Sequence, residues 1–158
     1  MVKTNAMRML DRAGIEYETA LYDYDESDLS GVHAAAQIKS ITPEQCFKTL
    51  VARGEKNGPV VFCIPVAAEL DLKTAAAAAG DKRVELLHVK ELPGLTGYIR
   101  GGCSPIGMKK KFPVFIDETA LLYDRIGISA GQRGMQVILS PNKLGDFLGA
   151  GFSPLTRD

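Results

Sequence analysis

Between residues 5 and 13 apolar side chains recur at three- and four-residue steps. Ala6, Met9, Leu10 and Ala13 fall on one face, which predicts a helix with Gly14 at its left-handed close. The period then drops to two: Tyr17, Thr19 and Leu21 alternate with Glu18, Ala20 and Tyr22, the pattern of a strand over residues 16–22. The acidic stretch from Asp23 to Asp28 reads as a loop. A short alanine-rich helix that Ser30 caps is expected to end near Ile38.

Thr42-Pro43-Glu44-Gln45 has capping-box spacing with proline at the first helical position, so one helical turn is expected there. It leads into the strand pattern Phe47-Lys48-Thr49-Leu50-Val51-Ala52, whose partner across residues 54–58 is Val60-Val61-Phe62-Cys63-Ile64-Pro65. Asp71 caps a predicted helix over residues 72–79 that Gly80 closes. Residues 84–95 mix a short strand with a short helix, and the pattern fixes no boundary between them. Residues 97–108 read as a strand entering a glycine-proline loop. Strands are expected at residues 114–117, 125–129 and 134–139, the last two joined by Ala130-Gly131-Gln132-Arg133, and Ser140-Pro141 opens a final helix through Phe147. Five or more strands with helices in no regular alternation, and no repeat or linker, predict a single α+β domain over residues 1–158.

Composition narrows the functional classes. A 46% apolar and 24% charged chain is globular rather than disordered, collagen-like or coiled-coil. No apolar run approaches the ~20 residues of a membrane helix. The N-terminal residues lead directly into an amphipathic segment, so a cytoplasmic protein without membrane contact is expected. Cys46, Cys63 and Cys103 are too widely spaced for a Cys-x-x-Cys site, and His33 and His88 form no His-Glu-x-x-His pair, so neither metal nor cofactor is expected. With 19 Lys+Arg against 19 Asp+Glu, a polyanionic partner must be met by a local patch. Eleven of the 16 glycines lie from Gly94 onward, so the C-terminal half needs a reason for them.

Gly102 and Gly107 have the spacing of a phosphate loop, but Met108 and Lys109 stand where that loop requires lysine and Ser/Thr, which excludes a nucleoside-triphosphate site. The backbone at Gly101-Gly102 either admits a substrate to amide N–H donors or makes a tight turn closing a strand pair. Lys48, on a strand with two apolar faces, is either an edge guard against aggregation or an ammonium held in a pocket. Cys103 lies in the glycine loop with no orienting group nearby in sequence, Cys46 and Cys63 read as packing residues, and both histidines as satisfied or solvent-facing. Met108-Lys109-Lys110-Lys111-Phe112 is either a solvated loop or a phosphate-contacting patch, which Tyr123, Arg125 and Arg133 would extend.

Four segments together resemble one family. They are Phe47-Lys48-Thr49-Leu50 after a one-turn helix; Pro65-Val66-Ala67 with Leu70-Asp71-Leu72-Lys73; Thr96-Gly97-Tyr98 through Gly101-Gly102-Cys103-Ser104-Pro105-Ile106-Gly107 with Lys109-Lys110; and Ser129-Ala130-Gly131-Gln132-Arg133-Gly134. In this order, over nearly the whole chain, they resemble the YbaK/EbsC family of Cys-tRNA(Pro) and Cys-tRNA(Cys) deacylases, related to the editing domain of prolyl-tRNA synthetase. The resemblance implies an α+β fold around a mixed, partly barrel-like sheet. By position it makes Lys48 the essential lysine and Gly101 and Gly102 the loop at the scissile ester. It assigns Tyr22, Thr49, Ser129 and Gln136 to the substrate pocket, with Cys103, Ser104, Pro105 and Gly107 from the loop, Cys103 as a chemical bystander. Lys109, Lys110 and Arg133 would grip tRNA. Gln136 stands where cysteine-specific members carry aspartate, and Ala130 where they carry glycine, so substrate choice is less defined than fold.

The implied chemistry needs no catalytic triad. The substrate's cysteine thiol attacks its own ester carbonyl to give a thiolactone, a lyase-like cleavage in which the protein supplies orientation, an oxyanion site and a cation. Two alternatives stand beside it: a water-using deacylase of Ala-tRNA(Pro) or another mischarged tRNA, and a non-catalytic relative that binds tRNA or a synthetase. Prolyl-tRNA synthetase is the expected protein partner.

Overall fold

The computed structural model describes residues 2–157. Helix α1 (Asn5–Arg12) starts after Thr4, whose hydroxyl accepts the Met7 N–H, and buries Ala6, Met7 and Leu10. Strand β1 (Glu18–Leu21) is shorter than its alternating pattern, and α2 (Gly31–Ala35) ends before Ile38. After a single 3-10 turn at Pro43–Gln45, β2 (Phe47–Gly54) and β3 (Gly58–Pro65) form the expected hairpin, paired from Phe47↔Pro65 to Gly54↔Gly58. Asp71 caps α3 (Leu72–Ala78) by accepting the Lys73 and Thr74 N–H groups. The unresolved pattern over residues 84–95 becomes β4 (Val84–Leu86), a 3-10 turn and α4 (Leu92–Thr96).

Residues 97–108 do not form the expected strand. Gly97, Gly101 and Gly107 take φ of 87°, 87° and 79°, a left-handed backbone incompatible with an extended run. The Tyr98 hydroxyl closes the resulting loop on the Ile106 carbonyl. Beyond it come β5 (Val114–Asp117), β6 (Ile126–Ser129), β7 (Met135–Leu139) and α5 (Pro141–Leu148), near their predicted bounds. The last strand, β8 (Gly151–Ser153), is three residues long and carries no alternating signal.

The strands form two sheets rather than a closed barrel, which gives the partly barrel-like sheet its actual form. One is antiparallel, in the order β1-β7-β6; the other runs β4-β2-β3-β5-β8, antiparallel on its β4 side and parallel from β3 to β8. Cys46 bridges to Gly127 and so joins the entry of β2 to β6. Alternation along β2 sends Phe47 and Val51 into the main core with Ile126, Ile128, Val137 and Leu144. Its other face places Leu50 and Ala52 in a second core with Phe62, Ile64, Ala75 and Ala76 under α3. The double burial accounts for the near-continuous apolar character of the hairpin.

The C-terminal tail is tied to the larger sheet through Asp117, which is 2% exposed. Its carboxylate accepts the buried Leu155 N–H at 2.9 Å and the Thr119 N–H at 3.2 Å. Asp117→Ala leaves the Leu155 N–H unpaired inside the protein, and a loss of ~3 kcal/mol is expected in urea unfolding. An unchanged midpoint would show that this anchor carries no stability.

Candidate active site

A cavity of about 620 Å³ opens beside β2, between the ends of β6 and β7 and the loops around residues 22–33, 86–92 and 100–103. Strand β2 supplies Lys48 and Thr49 to its wall. Ser129 and Gln136, directly opposite each other on β6 and β7, line it too. Tyr22, just past β1, and Gly101, Cys103 and Arg133 from the two glycine loops complete the predicted residues that it gathers.

Lys48 is part-buried on this wall, which matches the pocket alternative rather than a solvent-facing edge guard. Burial holds its ammonium below the ordinary lysine value, with Glu69 acting weakly in the opposite direction. Burial likewise raises the Tyr22 phenol, against a smaller lowering by the Gly134 main chain, and the Tyr22 N–H donates to the Gly134 carbonyl. Burial pushes the Cys103 thiol up to about 12, with Cys63 adding to the effect, so the cavity's own thiol is protonated at neutral pH and inert as a nucleophile. Gln136 is 5% exposed, and its Oε1 is buried without a hydrogen-bond partner. That oxygen occupies the space a side chain at Gly127 would fill, 2.7 Å from where its Cβ would stand.

The glycine loop divides into two parts. Gly101 and Cys103 line the cavity, but Gly102 turns away from it. The Gly102 N–H donates to the Ile99 carbonyl at 3.0 Å, so the expected pair of free amides at Gly101 and Gly102 is not present. Its Cα instead lies against the 130–134 turn, where an added Cβ would sit 3.1 Å from the Arg133 N and the Gln132 Cα. Arg133 Nε donates to the Arg100 carbonyl at 2.8 Å and holds the two loops together, and its guanidinium pairs with Glu26 at 3.7 Å.

Five further loop and basic assignments are also outside the cavity. Ser104 is fully buried, its Oγ accepting the Ile106 N–H, and Pro105 is buried beside it. Gly107 packs towards Tyr98, Asn5 and Met9 of α1. Lys109 lies along Gly97 with its Nζ 3.5 Å from the Gly94 carbonyl, and Lys110 is exposed; neither lines the cavity. The resemblance drew Ser104, Pro105 and Gly107 towards the substrate along with Gly101, but a loop with three left-handed glycines reverses direction within a few residues. Lys109 and Lys110 were expected to grip tRNA rather than to line the pocket.

The structure adds wall residues that the sequence did not single out. Arg100 is one, adjacent to Gly101. His33 and His88 are solvent-facing, as expected, yet both stand on the cavity rim, and Leu86, Leu87, Val89 and Leu92 form an apolar wall at one end. Exposed apolar residues at Leu86 and Val89 were the available signal. Among the described residues no group of three His, Cys, Asp or Glu side chains is placed to hold a metal ion. No helix among them is long and apolar enough to cross a membrane.

The two-sheet α+β fold is shared with a solved structure described as that of a provisionally named trans-editing enzyme for prolyl-tRNA synthetase. The match has a TM-score of 0.82 at 24% identity over 99% of this chain and all of that one. Residues 26–147 match the aminoacyl-tRNA editing domain, and the chain belongs to that family. EbsC of Enterococcus faecalis, provisionally named a Cys-tRNA(Pro)/Cys-tRNA(Cys) deacylase, is 47% identical over 98% of this chain and 93% of its own length. A proline–tRNA ligase of Brachyspira hyodysenteriae is 26% identical over 70% of this chain, which corresponds to 20% of that protein.

The loop contact gives a paired prediction. Gly102→Ala forces backbone against backbone and should cost ~1–3 kcal/mol, whereas Gly94→Ala, in a helix with nothing within 4 Å of the new Cβ, should be neutral or stabilise by up to ~1 kcal/mol. Thermal unfolding of the two variants tests the contrast. Equal midpoints would remove the close approach as the reason for glycine at 102.

Proposed function

We propose that residues 1–158 act as one editing unit that deacylates mischarged Cys-tRNA(Pro), and Cys-tRNA(Cys), in the cytoplasm. The observation that carries this reading is the convergence of Lys48, Tyr22, Ser129, Gln136, Gly101 and Cys103 on one cavity of about 620 Å³, a volume suited to an aminoacyl-adenosine. The naming of the 47%-identical EbsC supports it. Prolyl-tRNA synthetase is a fitting partner, since the matching ligase carries a related segment.

The substrate brings its own nucleophile. Its cysteine thiol gives up a proton and attacks the ester carbonyl; a C–S bond forms, the C–O bond to the terminal ribose breaks, and the proton ends on the ribose hydroxyl. Water then opens the released thiolactone. The protein holds sulfur against carbonyl, which replaces a bimolecular encounter by an oriented one. Main-chain amides of Gly101 and Cys103 serve the oxyanion, in place of the Gly101–Gly102 pair. The Lys48 ammonium grips the terminal nucleotide near the leaving oxygen, and its partial burial strengthens that attraction. Gln136 stands opposite Ser129 at the end of the cavity that takes the substrate's amino acid. Arg133 and Arg100 flank the loop, and the exposed Lys109 and Lys110 meet the RNA backbone farther along.

Gln136 also favours a second reading. It stands where the resemblance places aspartate in cysteine-specific members, so the pocket also suits a water-using deacylase of Ala-tRNA(Pro). A panel of charged tRNAs separates the two: cleavage of Cys-tRNA(Pro) at least ~10-fold faster than Ala-tRNA(Pro) is expected, and the reverse order would replace the thiol route by the water route.

Lys48→Ala should lower deacylation by ~100-fold, and Lys48→Arg should also be damaging because a planar fork does not replace a compact ammonium. The wild-type rate should fall on the alkaline side at a pH below 10.5, because the part-buried ammonium loses its proton more readily than a free lysine. The residual activity of Lys48→Arg should lack that fall. A wild-type protein that binds tRNA but releases no amino acid would instead identify a non-catalytic binder.

A further inference from the structure

The outer edge of β2 is open along the cavity. Leu87 N–H donates to the Val51 carbonyl, whereas the Cys46 carbonyl receives the Val66 N–H from the β3 side. Main-chain groups alternate sides along a strand, so odd-numbered residues of β2 point away from β3 and even-numbered ones towards it. Pairing with β4 covers Ala52–Gly54 alone, and the bond from Leu87 is not reciprocated by Val51. Among the described residues the Thr49 C=O and the Val51 N–H are therefore left without main-chain partners, on the edge where both residues line the cavity.

These two groups form an acceptor–donor pair on one side of an extended backbone. Its complement is a planar edge carrying a donor beside an acceptor, such as the N6 amine of adenine with an adjacent ring nitrogen. The surrounding wall suits a planar base. Leu87 and Leu92 are part-buried and Leu86 and Val89 are 48% and 56% exposed, so apolar surface stands uncovered beside the pair. The opposite end of the cavity is polar, with Gln136 against Gly127, and Gly127 is bridged to Cys46 at the start of the strand. From Cys46 to Val51 the strand spans about 16 Å, room for an amino acid at one end and a nucleobase at the other.

We propose that the open β2 edge at Thr49 and Val51, with the Leu86–Leu92 wall, is the subsite that reads the terminal adenine of the tRNA substrate. The base accepts from the Val51 N–H and donates through N6 to the Thr49 carbonyl while its faces rest on the apolar wall. The reading is carried by the main chain, so no side chain marks it in the sequence. It rests on the deacylase function proposed above, and places the cysteine at the Gln136 end with Lys48 between amino acid and base.

The test compares a cysteinylated acceptor minihelix ending in adenosine with one ending in inosine. Inosine has a carbonyl in place of the N6 amine and an N–H in place of N1, so its Watson–Crick edge opposes like to like on the β2 edge. KM should rise at least ~10-fold for the inosine-ended substrate while kcat changes less than ~2-fold. Equal KM values, or a loss confined to kcat, would overturn the subsite. Failure to cleave the adenosine-ended minihelix at all would refute the deacylase function instead. In that case non-hydrolysable 3′-amide analogues of cysteinyl-adenosine and cysteinyl-inosine decide the subsite by binding: a preference of ~10-fold for adenosine upholds it, and equal affinity refutes it.

Discussion

Both faces of β2 are buried, and that constraint organises the molecule. The Phe47 and Val51 face helps fill the core between the two sheets, and the Leu50 and Ala52 face fills the core beneath α3. A strand committed on both faces keeps only its edge and its ends for polar work. The edge opens on the cavity because β4 stops after three residues, and Lys48 lies near the end where the second core gives out. The cation is thus held on a strand buried on both faces, where its orientation costs little additional entropy on binding.

The other half of the cavity depends on backbone contacts that only glycine permits. Gly101 turns the chain through a left-handed conformation, and Gly102 lets it lie against the 130–134 turn; the Arg133–Arg100 bond then fixes that approach. Glycine enrichment after residue 93 accordingly has several causes. Gly101 shapes the cavity wall, Gly102 and Gly127 provide clearance, Gly97 and Gly149 close helices, and Gly107 packs against α1. The cluster thus serves a set of local steric requirements rather than one shared role.

The chemistry that follows is one of placement. The cavity's thiol is protonated by burial, and its histidines sit at the rim. What the walls offer is an ammonium of reduced hydration, main-chain groups and an apolar end. Such walls suit the proposed reaction, whose nucleophile arrives with the substrate, because proximity and oxyanion stabilisation each lower its barrier.

Periodicity by itself determined the hairpin, α1, α3, α5 and the α+β class, since an apolar pattern of period 2 or 3.6 and a capping residue act over neighbouring positions. The motif residues determined the family, and Lys48, Tyr22, Thr49, Ser129 and Gln136 were each visible as candidates. The motif around Gly101 carried Gly102, Ser104, Pro105 and Gly107 towards the substrate, yet none of the four lines the cavity. The division into two sheets, the direction of that loop and the rim of His33, His88, Val89 and Arg100 were decided only in three dimensions. They depend on which backbone groups pair and how closely distant segments approach, such as Gly102 on Gln132 or Cys46 on Gly127. Local patterning carries no information about these contacts until the chain has closed on itself.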